Sequence, residues 1–191
     1  IPAYVANTGT DRSDDFKVDV RKLNLDARNT FTISMWIKNK KNPPLYPVCN
    51  IIRLIDDSNE ALSIVSKDGL KYHFSSTNTY NTVGAHWLAH AYNNEWLHFT
   101  LHVKENTYTI YDKSHDQKLS YSFTSKTKLL GNISRIELFG NNPYITISQS
   151  KHEFHVSDLR IYNSDMSASQ IGYLYSNGRL NYVKTGSCDA I

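Results

Sequence analysis

Apolar and polar residues alternate along most of the chain. Phe31, Ile33, Met35 and Ile37 interleave with Thr32, Ser34, Trp36 and Lys38. A period of two puts one set on each face of a strand. Leu97, Phe99, Leu101 and Val103 interleave in the same way with Trp96, His98, Thr100 and His102, and Leu70, Tyr72 and Phe74 with Lys71, His73 and Ser75. Shorter alternations fall at Phe16–Val20, Tyr108–Tyr111, Leu119–Phe123, Arg135–Phe139, Tyr144–Ile147 and Phe154–Ile161. Turn-forming residues separate them: Asp56-Asp57-Ser58-Asn59, Lys67-Asp68-Gly69, Asn93-Asn94 and Gly140-Asn141-Asn142-Pro143. Ala61–Val65 and Leu70–Phe74 around Asp68-Gly69 predict a hairpin. Many strands at this spacing, with no helical crossovers between them, predict an all-β antiparallel sandwich or barrel.

One segment changes period. Ser167 with Gln170 three residues on fits a capping box, and Ile171, Leu174 and Tyr175 then share one helical face. Asn177-Gly178 offers a left-handed stop. The spacing predicts one short C-terminal helix packed on the sandwich edge. Residues 1–178 then form a single domain and 179–191 a tail or linker.

Composition narrows the class. The 191 residues carry 40% apolar and 12% aromatic residues, enough for a core and against disorder. A net charge of +3 from 21 basic and 18 acidic residues points to neither nucleic acid nor an anionic membrane. No apolar run approaches the ~20 residues of a membrane-spanning helix. Starting at Ile1 with no signal-like segment, the chain reads as a processed chain or an excised domain. Cys49 and Cys188 are too few for a disulfide scaffold.

Four segments in order carry a family resemblance: FTISMWIK at Phe31–Lys38, NEWLHFTLHV at Asn94–Val103, YTIYDKSHDQKL at Tyr108–Leu119 and SDLRIYNSDMSASQIGYLY at Ser157–Tyr175. This succession resembles the laminin-G-like, concanavalin A-like lectin/glucanase superfamily. It is also similar to the lectin-like jelly-roll domains of clostridial neurotoxins and sialidases. The resemblance implies a jelly-roll sandwich and an extracellular recognition role, secreted or at the cell surface. Where the family has a tight Asp-Gly turn, this chain has Asp112-Lys113-Ser114-His115-Asp116, read as a longer connection.

Catalytic signatures are missing. There is no nucleophile elbow, phosphate loop or dinucleotide fingerprint, and none of Glu60, Glu95, Glu105, Glu137 and Glu153 has another glutamate near it in sequence. A retaining glycosidase needs two carboxyls ~5–5.5 Å apart. The expectation is therefore a non-enzyme. His98 and His102 lie ~13 Å apart along a strand and cannot share a metal. Asp56 and Asp57, in an oxygen-rich run reaching Glu60, are weak calcium candidates.

Sugar recognition needs an aromatic platform beside hydrogen-bonding groups. Two stretches qualify. One runs from Tyr80 through His86 and Trp87 to His90; the other is the outward stripe Trp96, His98, Thr100 and His102. The first supplies the nominated ligand residues Tyr80, His86, Trp87 and His90. For Trp96 structural packing is the competing reading. Asn132-Ile133-Ser134 is a glycosylation sequon. A Cys49–Cys188 bond, favoured by the extracellular bias of the family, would stabilise by ~4–5 kcal/mol in the chain-entropy model. The sequence thus points to a non-catalytic module binding a glycan or glycosylated partner. The alternative is a protein-interaction or assembly domain without sugar specificity.

Overall fold

The computed structural model describes residues 4–8, 16–39, 49–67, 71–76, 79–82, 96–114, 117–124, 130–139 and 152–182. These residues form twelve strands: β1 (Tyr4–Thr8), β2 (Phe16–Asp19), β3 (Thr30–Asn39), β4 (Cys49–Asp56), β5 (Ala61–Lys67), β6 (Lys71–Ser76), β7 (Thr79–Thr82), β8 (Leu97–Lys104), β9 (Thr107–Ser114), β10 (Gln117–Thr124), β11 (Ile133–Leu138) and β12 (His152–Tyr162). A helix, α1 (Ala168–Tyr182), follows. The first sheet has the order β1-β12-β3-β8-β9-β10 and the second β2-β11-β4-β5-β6-β7. Every pairing is antiparallel. This is the expected jelly-roll sandwich.

The alternation read from the sequence builds the core. Phe31, Ile33, Met35 and Ile37 of β3 meet Val103, Leu101, Phe99 and Leu97 of β8 in register. With Ile52, Leu54, Leu62, Ile64, Ile136 and Leu138 from the second sheet they form one buried cluster. Each such side chain removed from water is worth ~1.5–3 kcal/mol.

Several expectations need correction. β4 escaped the period-two reading because its register shifts between Asn50 and Ile52, so Ile51 and Ile52 are buried together. The Arg135–Phe139 alternation ends one residue early, since Phe139 is buried with a φ of 57° and leaves β11. β9 continues through Ser114 and pairs Ser114 with Gln117, so the supposed longer connection shortens to residues 115–116. Helix α1 passes through Asn177-Gly178 to Tyr182. It also lies against a sheet face, where Tyr175 packs with Trp36 of β3, and not on the sandwich edge. The proposed strand Tyr144–Ile147 falls outside the described residues.

One end of the sandwich is closed by short, bonded turns. Glu105 and Asn106, with φ of 49° and 54°, turn β8 into β9, and their amides donate to Asn29 O and Ala27 O. The buried Asn106 carboxamide accepts from Leu130 N at 3.0 Å and from the Tyr108 hydroxyl at 2.9 Å. Burial, with the Asp56 charge adding to it, pushes the Tyr108 phenol well above its usual range. That keeps it a hydrogen-bond donor.

Candidate binding surface

Because all strands are antiparallel, the connections separate into two groups. The turns 57–60 and 105–106 lie at the closed end. The strand ends that flank the two longest connections, Thr82 and Leu97, and Leu138 and His152, lie at the opposite, loop end, as do Asn39 and Cys49. Loops carried on a rigid scaffold are the usual place for binding residues. Tyr80 lies on β7, the edge strand of the second sheet, paired with Ser75. His86, Trp87 and His90 lie outside the described residues, in the connection from β7 to β8. The chain leaves the second sheet at Thr82 of β7 and enters the first at Leu97 of β8.

The second nominated stripe has a different fate. Trp96, His98, Thr100 and His102 do face away from the core, beside Trp36, Ser34 and Thr32 of β3. Helix α1 and the linker before it cover this face. Trp36 is 1% and His98 3% exposed, and Thr100 is fully buried. The Trp36 ring stacks on Tyr175 with centroids 5.5 Å apart and planes inclined by 27°. His98 lies 4.9 Å from Trp36 and 6.0 Å from Tyr175 between ring centroids, with its Nε2 3.0 Å from Ser34 Oγ. Trp96 is half-buried at the border of this cluster, with Lys38 Nζ 4.9 Å from its ring centre. The stripe is a packed seam, as the structural reading of Trp96 required, and not an open platform.

The seam depends on local features of α1. Ser167 and Gln170 close the capping box, Ser167 N donating to Gln170 Oε1 at 2.8 Å and Gln170 N to Ser167 Oγ at 3.3 Å. Ile171, Tyr175 and Gly178 then follow one face toward the sheet. A Cβ on Gly178 would sit 2.7 Å from Trp36 Nε1. The glycine read as a helix stop is instead a point of close approach. At the other end Asp165 ties the linker to β8, accepting from His102 Nε2 at 3.0 Å and from Lys104 Nζ at 2.6 Å. Those two bonds, Lys104 first, hold the Asp165 carboxyl below the usual carboxylate range.

The acidic run has a structural role. Asp56 Oδ1 accepts from the amides of Ser58 and Glu60, both at 2.9 Å, and Oδ2 from Gly131 N at 3.1 Å. This carboxylate caps the β4–β5 turn and pins it to the strand entering β11. Asp57 is exposed, and its amide donates to Asn132 O at 3.0 Å. Among the described residues no three His, Cys, Asp or Glu side chains gather where a metal ion fits. Glu137, 7% exposed, is paired with Arg135 at 2.9 Å and Arg53 at 3.6 Å. Asn132 of the sequon is exposed, while Ser134 Oγ donates to Ile55 O and Asp56 O. Cys49 opens β4 at the loop end, and Cys188 lies outside the described residues.

A family model described as the concanavalin A-like lectin/glucanases superfamily, of laminin-G type, matches residues 11–172. The chain belongs to this superfamily. Among solved structures, the laminin-G-type domain is similar to the botulinum neurotoxin serotype D/C binding domain, at 18% identity and TM-score 0.61 over 90% of this chain and 43% of that one. A structure titled for botulinum neurotoxin type C entry through two ganglioside molecules gives 15% identity and TM-score 0.56, covering 91% and 46%. Domains LG4-5 of the mouse laminin alpha1 chain give 14% and 0.53, covering 82% and 40%. The domain thus spans less than half of each of these chains, and the likeness is one of fold. No curated protein matches it by sequence.

Proposed function

We infer that this domain is a non-catalytic recognition module of a secreted or cell-surface protein, binding a glycan or glycosylated partner through its loop end. The observation that carries the reading is topological. In sequence, His86, Trp87 and His90 fall between Thr82, where β7 ends, and Leu97, where β8 begins, and these two strand ends lie at the loop end, while the competing aromatic stripe is closed by α1. An indole and a phenol offer stacking faces, and imidazole and amide groups offer directional polar contacts, the combination a sugar ring requires. Glu137 and Asp56, both buried, are engaged by guanidinium and amide donors, an arrangement that supports a scaffold role for them over acid–base work.

Neighbours of the same fold include a neurotoxin described with gangliosides and another binding domain solved with rat synaptotagmin II. These supply the second reading, a polypeptide partner. A glycan array run in calcium and again in EDTA separates the two. Binding to a defined glycan supports the lectin reading, and loss in EDTA would bring Asp57 or another oxygen ligand back as a calcium site. A blank array in both conditions favours the protein partner.

A further inference from the structure

The sheet face beneath α1 has an unusual composition for a surface that a helix covers. A helix normally docks on an apolar face. Here the covered side chains are Thr32, Ser34 and Trp36 of β3 and His98 and Thr100 of β8. The Thr32 and Thr100 hydroxyls are fully buried and have no hydrogen-bond partner among the described residues. Leaving a buried polar group unmatched costs ~1–3 kcal/mol, so packing alone does not account for two threonines at these positions. Hydroxyls, an imidazole and an indole side by side form the surface a pyranose ring recognises, apolar on one face and polar at the edge. Hydroxyls and rings line the middle of the face, with Arg160 and Tyr162 of β12 in register with Ser34 and Thr32. Lys38, Lys104 and Asp165 lie at its border.

The cover is weakly determined by its own sequence. Gly172 and Gly178 each cost ~0.8–1 kcal/mol of helix propensity relative to alanine, and an isolated helix of this length is marginal in water. Over 168–178 the buried residues of α1 are Ile171 and Tyr175. The capping box and the Asp165 contacts to His102 and Lys104 anchor its N-terminal side. Releasing α1 breaks none of the strand pairings.

From these observations we propose that the outer face of the first sheet is a covered binding face for a neutral saccharide ring. Tyr175 occupies the place where that ring stacks on Trp36, and Ser34, His98 and Thr100 flank it with donors and acceptors. Helix α1 is thus an autoinhibitory cover, closed by the Tyr175–Trp36 stack and the Asp165 latch. This face is separate from the loop end, and the proposal stands or falls independently of Tyr80 and Trp87.

The test uses the whole chain carrying Tyr175→Pro, which removes the stacking ring and breaks the helix interior. Hydrogen exchange and an array of neutral glycans are read together. The expected result is retained protection in β3 and β8, lost protection over 168–182, and array signal at least tenfold above the unsubstituted chain. Adding Trp36→Ala abolishes the gain, and adding Trp87→Ala leaves it. The milder Asp165→Ala is expected to raise exchange over 168–182 several-fold with the sandwich intact. Release of α1 without a gain in binding overturns the proposal, as does a gain that survives Trp36→Ala. Persistent protection of 168–182 in Tyr175→Pro, or unfolding of the sandwich in both variants, shows that α1 is no cover and overturns it equally.

Discussion

Two glycines on one helix give a matched pair of substitutions with opposite expected signs. Gly172 and Gly178 both lie within α1, and alanine in a helix interior is favoured over glycine by ~0.8–1 kcal/mol. At Gly172 a new Cβ meets nothing within 4 Å, so Gly172→Ala should collect that gain. At Gly178 the Cβ would stand 2.7 Å from Trp36 Nε1, 3.0 Å from Cζ2 and 3.1 Å from Cε2. The indole cannot retreat, because Trp36 is 1% exposed and held between His98 and Tyr175. Overpacking of this kind costs ~1–3 kcal/mol, which outweighs the propensity gain. For a chain of this size 1 kcal/mol moves the midpoint by ~2–4 °C. Calorimetry should show Gly172→Ala raised by about 2–4 °C and Gly178→Ala lowered by up to ~8 °C. If Gly178→Ala is as stable as Gly172→Ala, the docking of α1 on Trp36 is wrong.

Asp56→Ala strips acceptors from three amides, one of them on a different strand segment. At ~1.5 kcal/mol or more per bond to a charged group, a loss of ~3–5 kcal/mol is expected in chemical denaturation. Since that carboxylate is already engaged by three amides, millimolar calcium should leave the melting temperature unchanged, and a rise of several degrees would restore calcium to the site. Asn106→Ala removes the acceptor for Leu130 N and Tyr108 Oη and should cost ~2–4 kcal/mol, read from the denaturant midpoint. Asp26 and Asp165 have depressed folded-state pKa values and Asp19 falls to about 2, each chiefly through its basic partner. Their contributions are fully present above the unfolded carboxylate pKa and are lost as pH falls through the folded values. Melting temperature should therefore fall below about pH 4. The fall should be shallower in Asp165→Asn.

Much of the fold is legible because one physical signal, alternation over a buried face, repeats in β3, β8, β9 and β12. The helix start was legible for the same reason, since a capping box is local. What stayed hidden depends on contacts between distant segments. The β4 bulge buries consecutive isoleucines and destroys the alternation that marks a strand. Gly178 sits after an asparagine like any helix stop, and only the Trp36 ring against it shows why no Cβ is present. The outward stripe on β8 reads as a surface until α1 is placed over it. Asp56 looks like a metal ligand in sequence, and the three amides that claim it come from a turn and from Gly131. Of the nominated ligand residues, only the strand position of Tyr80 lies within the described residues, so the binding reading rests on topology and chemistry.

The most direct test of that reading compares the unsubstituted domain with a Tyr80→Ala/Trp87→Ala variant on one glycan array, with melting curves recorded alongside. The account predicts binding to a defined glycan by the unsubstituted domain and its loss in the variant, at an unchanged melting temperature. Binding that persists undiminished in a folded variant would contradict the assignment of the loop end as the recognition surface.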